Sequence, residues 1–444
     1  MLTGSNLLMG FGSNKSFQLV SGDAVLQESL NRDHQDDDHL IMNPDEDFQN
    51  LDITRPIVVD LEQHISSNSV SQVICGDNCT FILTNEGQVW ARGLNGKQCR
   101  FLGLHEDVEI AETFMRVTGE LENELVVDIA AHPEVDTTFQ LGHTLFLTES
   151  GKVYSTGCNT TGALCVTDDP LVMPTQVWTS GFEARVATHI AVSQRSSIII
   201  TDHDRLWLCG MTLEESEDSF RLQQPTDIGW DNEPISMIAC GNSHCVILSR
   251  SGKVFSFGSN KHGQCGFPEY YQVHYPVEVT NPLELEFSKH KFVDISCKGN
   301  HTILLSANGS VWVFGNNDSG FLGMDTNGEN IFMPTRLQCL SGLNVIRVDT
   351  GFRQSLFVTD NECFVCGEGD TFNVEPKPLE WNYNRTSLAV RSKPIYMKDN
   401  YMKSIGNGTD HFIIHFVLNQ NVYQFKSLMF GLEEVFSDCK FIFK

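Results

Sequence analysis

Residues Ile238 to Gly266 read IACGNSHCVILSRSGKVFSFGSNKHGQCG, and the pattern returns at Ile295 to Gly323 as ISCKGNHTILLSANGSVWVFGNNDSGFLG. The offset is 57 residues without a gap, so Cys240 falls on Cys297, His244 on His301, Gly252 on Gly309, Gly258 on Gly315 and Asn260 on Asn317. Self-similarity at a fixed period signals repeated units, each too small to bury its own apolar face. Within the unit, His244, Val246 and Leu248 alternate with Cys245 and Ile247, the periodicity of a strand. Ser251-Gly252, and Asn308-Gly309 in the copy, predict a two-residue hairpin turn. Val254 to Phe257 then gives a second strand, so each unit is a β-hairpin closed by an aromatic-Gly-x-Asn turn.

Weaker copies extend the pattern along the chain. Cys75 to Asn95 keeps Gly87, Gly93 and Asn95 but has Cys79 where histidine would stand. Leu141 to Gly162 keeps His143, Gly151, Gly157 and Asn159. Ala191 to Gly210 is degenerate, with Ser196 in the histidine position and Asp204 in that of the turn glycine. Thr350 to Gly367 has Gln354 near the histidine position, and Gly408 to Phe425 supplies a seventh first half with His411. Prolines 174, 225, 276, 334 and 378 recur in the connections, where they suit an outer strand. The second-half glycines are Gly12, Gly93, Gly157, Gly210, Gly258, Gly315 and Gly367, one step out of phase with the first halves. The strand Leu7 to Asn14 has no first half before it, and the last hairpin lacks its Gly-x-Asn ending. The first strand is therefore expected to complete the last sheet, closing a ring that leaves no exposed edge.

Composition sets the outer limits. Of 444 residues, 41% are hydrophobic, enough for one core shared among many repeats. The formal net charge of −27 disfavours nucleic acid and anionic membrane, and points to basic protein surfaces as partners. No apolar run is long enough for a membrane span, and the N-terminus does not read as a signal peptide, so an intracellular location, cytoplasmic or nuclear, is expected. The 14 cysteines are scattered and read as small buried hydrophobes rather than a disulfide framework. Cys363-Phe-Val-Cys366 lacks the second ligand pair that zinc requires. Two acidic stretches interrupt the repeats and read as insertions in a single domain spanning 1–444. One is 21–50, with Asp36, Asp37, Asp38, Asp45, Glu46 and Asp47 as candidate docking residues; the other is 104–128, where Ile110 to Val117 suggests a short helix.

The period exceeds that of WD repeats, and the Gly-Gly doublet of kelch blades is missing. Gly241 to Leu248, Gly252 to Asn260 and Gly263-Gln264-Cys265-Gly266, with their copies at Asn300 to Leu305 and Gly309 to Gly323, resemble the repeat of the regulator of chromosome condensation family. That resemblance implies an all-β, seven-bladed β-propeller of four-stranded blades, its ring closed by pairing of the N- and C-terminal strands. The histidines His143, His244, His301 and His411 occupy one repeat position, as do the glycines Gly93, Gly157, Gly258 and Gly315. One position repeated across blades calls for one shared structural contact, not for a set of ligands. The turn asparagines Asn95, Asn159, Asn260 and Asn317 are expected to tolerate left-handed backbone and to satisfy local donors. No nucleotide, metalloprotease or hydrolase motif is present, so no catalytic residue, cofactor or metal is expected. The reading is a monomeric protein-interaction and regulatory module, adaptor or scaffold, without covalent chemistry. The alternative, implied by the resemblance, is guanine-nucleotide exchange on a small GTPase such as Ran. Neither the wedge hairpin nor the basic tail of the founding member is recognisable here.

Overall fold

The computed structural model describes residues 5–13, 52–132 and 142–367, with gaps inside these ranges, and strands at 390–391, 401–407 and 411–418. The described residues are almost entirely strand and connecting loop. β1 (Ser5–Ser13) and β2 (Asp52–Val58) precede six sheets that follow the chain in order. Blade one is β3 (Val70–Cys75), β4 (Cys79–Thr84), β5 (Val89–Leu94) and β6 (Ile110–Arg116). Blade two is β7 (Val126–His132), β8 (His143–Thr148), β9 (Val153–Gly157) and β10 (Leu171–Gln176). Blade three is β11 (Ala187–Val192), β12 (Ser196–Thr201), β13 (Arg205–Met211) and β14 (Arg221–Asp227). Blade four is β15 (Ile235–Cys240), β16 (His244–Ser249), β17 (Val254–Ser259) and β18 (Gln272–Glu278). Blade five is β19 (Phe292–Lys298), β20 (His301–Ser306), β21 (Val311–Gly315) and β22 (Ile331–Arg336). Blade six is β23 (Val345–Thr350), β24 (Gln354–Thr359), β25 (Cys363–Gly367) and β26 (Val390–Arg391). β27 (Tyr401–Asn407) and β28 (His411–Leu418) lie with β1 and β2 in a composite sheet ordered β2-β1-β28-β27.

The expectation of a seven-bladed ring of equal four-stranded blades, closed by pairing of the N- and C-terminal strands, needs correction here. Six blades are continuous along the chain, and they carry three to four full strands, since β26 of blade six has only two residues. β1 does pair antiparallel with β28, setting Gly12 opposite His411, but this ladder is internal to the composite sheet. Among the described residues no ladder passes from one sheet to the next, so hydrogen-bonded strand pairing does not close the ring. Closure is by packing, with β27 against β3 on one side and β23 on the other. The cause is geometric: a sheet's unpaired edges lie at its inner and outer strands, so neighbouring sheets can meet only by their faces.

That geometry also explains the second strands. β4, β8, β12, β16, β20 and β24 are buried along their whole length. The alternation along β16 does not separate core from solvent. Cys245 and Ile247 enter the core shared with blade three, while Val246 and Leu248 enter the core shared with blade five. Each core therefore lies between two blades, and no blade owns one.

Three local expectations change. The loop after β16 has three residues: the Gly252 N–H donates to the Ser249 carbonyl at 3.0 Å and the Ser249 N–H to the Lys253 carbonyl at 2.9 Å. Such a loop needs one left-handed residue, here Gly252 at φ +92°. In blade three, His203 and Asp204 take left-handed backbone in place of that glycine. Ile110 to Val117, expected as a helix, instead supplies the outer strand β6 (Ile110–Arg116), which pairs with β5 through an irregular register and buries Ala111 and Phe114. Four cysteines are not simple core hydrophobes: Cys165 pairs with Cys209, and Cys240 with Cys245 on the adjacent strand. The acidic stretch 21–50 lies outside the described residues.

Gly258, opposite His244 in the β16–β17 ladder, has φ +111°, and a Cβ there would sit 2.5 Å from the Ser243 carbonyl oxygen. Gly157 and Gly315 repeat this with φ +119° and +111°, and Gly93 pairs with Cys79 at φ +107°. Replacing Gly258 with alanine is expected to cost about 2 kcal/mol or more, measured by urea unfolding, since the backbone strain and the clash have no flexible partner to absorb them.

Candidate functional site: the histidine belt and the axial residues

The recurring polar residues of the repeat are buried and meet across blade boundaries. His143 of blade two reaches the Ser197 hydroxyl of blade three with Nε2 at 3.0 Å. His244 of blade four reaches Thr302 of blade five at 2.9 Å, and His301 of blade five reaches Ser355 of blade six at 3.2 Å. The hydroxyls already have an acceptor. Thr302 donates to the Gln264 carbonyl at 2.8 Å, and Ser355 donates to that of Phe321 at 2.5 Å. With its hydrogen committed, the Thr302 oxygen can only accept, so His244 must carry its proton on Nε2. The ring lies against Gly241, where a Cβ would come within 2.6 Å of Nδ1. His411 opens β28, and its side chain lies outside the described residues.

Burial holds these rings neutral. It pushes His244 down to about 3 and His301 to about 4, so neither can exchange protons near neutral pH. The belt is not continuous: Cys79 and Gln354 stand in the histidine position of blades one and six, and blade three breaks it as well. Ser196 stands in the histidine position there, and the facing residue on blade four is Cys245, which carries no hydroxyl and is bonded to Cys240.

The turn asparagines do a second job. The Asn260 carbonyl oxygen accepts from the Cys265 N–H at 2.8 Å, and its amide donates to the Phe267 carbonyl at 2.5 Å. Asn159 and Asn317 repeat this with Leu164 and Leu322, each at 3.0 Å. Asn95 reaches two residues further, to the Leu102 N–H at 3.0 Å, across a longer loop. None of the four has a left-handed backbone; their glycine neighbours carry it.

The innermost strands place a set of residues around the axis that the sequence reading missed. The third position of each is Gln72, Asp128, His189, Met237, Asp294 and Arg347 in blades one to six. A polar residue recurring inside an apolar strand was the available signal. Burial raises Asp128 to about 6, opposed by a hydrogen bond from Gln72. It also raises Asp294, against the nearby Arg347 charge. One step along, Asp349 is lifted by burial to about 6, with the Lys298 charge opposing. Lys298 donates to the Cys75 carbonyl at 2.9 Å, joining blades five and one, which are not neighbours. His132 of blade two meets Asn242 of blade four at 3.3 Å. These bonds cross the axis. Among the described residues no group of His, Cys, Asp or Glu could hold a metal ion, and no helix is long and apolar enough to cross a membrane. The acidic docking candidates Asp36 to Asp38 and Asp45 to Asp47 lie outside the described residues.

Face-packed blades joined by a repeated histidine latch define a β-propeller of tandem repeats. Family models of the regulator of chromosome condensation (RCC1) repeat match residues 251–305 and 308–358, and a second model of the same repeat matches 141–163, 235–264 and 292–320. The matched residues carry repeats of the RCC1 type. It is 28% identical over 237 residues to the ultraviolet-B receptor UVR8 of Arabidopsis thaliana, covering 51% of each chain. It is 23% identical over 392 residues to the kinase Nek9 of Xenopus laevis, covering 85% of this chain and 35% of Nek9. The chain thus spans about half or less of the curated relatives it matches. In structure it resembles yeast RCC1 (Prp20) in its complex with Kap60, with a TM-score of 0.72, 19% identity and coverage of 98% of this chain and 93% of that one. Human WBSCR16 is also similar, with a TM-score of 0.68, 19% identity and coverage of 94% and 100%.

Removing the His244 ring orphans the Thr302 oxygen and opens a void. His244→Ala is expected to lose about 1–3 kcal/mol in urea unfolding, and His244→Gln less, because its amide can still donate. The pH dependence has a definite sign. His132, His244 and His301 have folded-state values of about 3, about 3 and about 4, below the ~6.5 of an unfolded chain. The unfolded chain therefore binds more protons below that value, and their stabilisation drains away as pH falls from about 6.5 toward 4. Asp128 and Asp349, raised to about 6, oppose this by gaining stability below that pH. The histidines are more numerous and further shifted. The melting temperature should drop between about pH 7 and pH 5, and His244→Gln should flatten the drop.

Proposed function

We propose that this propeller is a protein-interaction and regulatory module, an adaptor or scaffold that performs no covalent step. The observation carrying this reading is that the polar side chains recurring in the repeat are consumed inside the ring. His143, His244 and His301 are latched to the next blade and held neutral. What varies between blades is loop and surface, where a propeller's binding specificity resides. The strongly acidic chain suits a basic partner surface. Within the reading, Asp36, Asp37, Asp38, Asp45, Glu46 and Asp47 are one docking element for a protein partner, and the working location is cytoplasmic or nuclear. The relatives fit a regulatory role: they include a photoreceptor, a kinase and ubiquitin-type ligases.

Guanine-nucleotide exchange on a small GTPase is the rival reading. Its support is the likeness to Prp20, which has been studied for binding to Gsp1p and histones. Release of fluorescent GDP from a panel of small GTPases, Ran included, separates the two. The module reading expects no acceleration by the purified chain, and accelerated release would replace it with exchange. Affinity purification with residues 21–50 deleted is expected to lose partners that the full chain recovers; an unchanged set removes that segment as the docking element.

A further inference from the structure

All the exposed aromatic side chains among the described residues lie on one blade. Tyr270, Tyr271 and Tyr275 are 59%, 78% and 69% exposed, and the other large apolar residues at the surface are aliphatic or methionine. The three flank and enter β18, the outer strand of blade four, and Val277 continues the exposed row along it.

The blade-to-blade register shows that the repeat does not require tyrosine there. Gly258 pairs with Val273 in blade four, Gly93 with Ala111 in blade one, and Gly315 with Ile331 in blade five. Two residues before each of these outer-strand positions stand Tyr271, Glu109 and Glu329. Two residues after them stand Tyr275, Thr113 and Met333. In blades one and five the first slot is an exposed carboxylate, and in blade three, where Gly210 pairs with Leu222, it is Phe220; Tyr271 is the most exposed aromatic ring among the described residues.

The rings stand on a fixed base. Buried Asn260 donates its amide to the Tyr270 carbonyl at 2.6 Å, and its backbone N–H to the Tyr271 carbonyl at 2.8 Å. Phe267 packs edge-on to Tyr270, with ring centroids 6.3 Å apart. A tyrosine held in place by its backbone loses little further freedom on binding, which is why such residues anchor interfaces. Pro276 interrupts the strand's hydrogen-bonding edge, so a partner would engage the rings rather than add a strand. The electrostatics select the partner. Tyrosine faces attract guanidinium and ammonium groups. Glu269 is exposed at one end of the row, Glu278 at the other is paired with Lys253 at 3.6 Å, and the chain carries a net charge of −27.

We propose that Tyr270, Tyr271 and Tyr275, with Glu269, form a docking face for an arginine- or lysine-bearing segment of a protein partner. The proposal rests on the interaction-module reading and specifies where that module binds and what chemistry it takes.

The test uses the full chain and a fluorescein-labelled dodecapeptide of alternating glycine and arginine, followed by anisotropy in moderate salt. The double variant Tyr271→Ala/Tyr275→Ala is expected to bind about tenfold more weakly or worse. Tyr271→Phe/Tyr275→Phe keeps the ring faces and should bind as the parent does. The pair Ile110→Ala/Met115→Ala, on the equivalent edge of blade one, should leave affinity within about twofold. Replacing arginine with citrulline should abolish binding. Equal affinity in the tyrosine-to-alanine and blade-one variants would reduce the effect to the chain's overall charge and overturn the proposal. Absence of binding by the parent chain would overturn it as well. A concentration-dependent dimer in sedimentation, lost in the tyrosine-to-alanine variant, would assign the face to a second copy instead. If the parent chain and that variant recover the same cellular partners, the module reading stands and this face does not.

Discussion

A histidine ring on one blade, hydrogen-bonded to a hydroxyl on the next, is the contact from which the rest of the ring takes its order. His244, Thr302 and the Gln264 carbonyl form a relay with one direction of donation, and His301, Ser355 and Phe321 repeat it one blade on. Apolar faces alone would let neighbouring sheets slide, because burial has no direction. A buried donor with one available acceptor tolerates no slide, since an unmade bond there costs more than a made one contributes. At the three boundaries where it is made, the relay sets the rotation of a blade on its neighbour, and the shared cores fill the space so defined.

Much of this was legible in the sequence because a repeat states the same structural request several times. The Gly258 and Gly315 positions announced a backbone that no other residue can adopt, and His244 and His301 announced one contact made twice. What could not be read was what faces what. Alternation along β16 looked like an inside and an outside, yet both sides are interior, one to each neighbouring blade. Ile110 to Val117 was expected to be a short helix, but the ladder with β5 decides its state. Tertiary pairing overrode local pattern in both cases.

The axial residues were missed for a related reason. Asp128, Asp294 and Asp349 lie in short strands of mixed composition, separated by tens of positions, and only ring closure brings them around one axis. The disulfide between Cys240 and Cys245 was hidden because Cys240, at the same repeat position, has the free cysteines Cys75 and Cys297 as its counterparts. It occurs at one of the places where the histidine is replaced, so a covalent tie within blade four sits beside a boundary without the histidine relay.

The bond from Lys298 to the Cys75 carbonyl has a mechanical consequence. Neighbour-to-neighbour contacts alone would make the propeller a bracelet, in which a strain at one link fades with every joint it passes. A tie across the axis turns the bracelet into a spoked wheel. Load taken up on the rim of blade five then reaches blade one directly, without traversing the two sheets between them. Such a wheel transmits a push at its edge as a tilt of the whole body rather than as local bending.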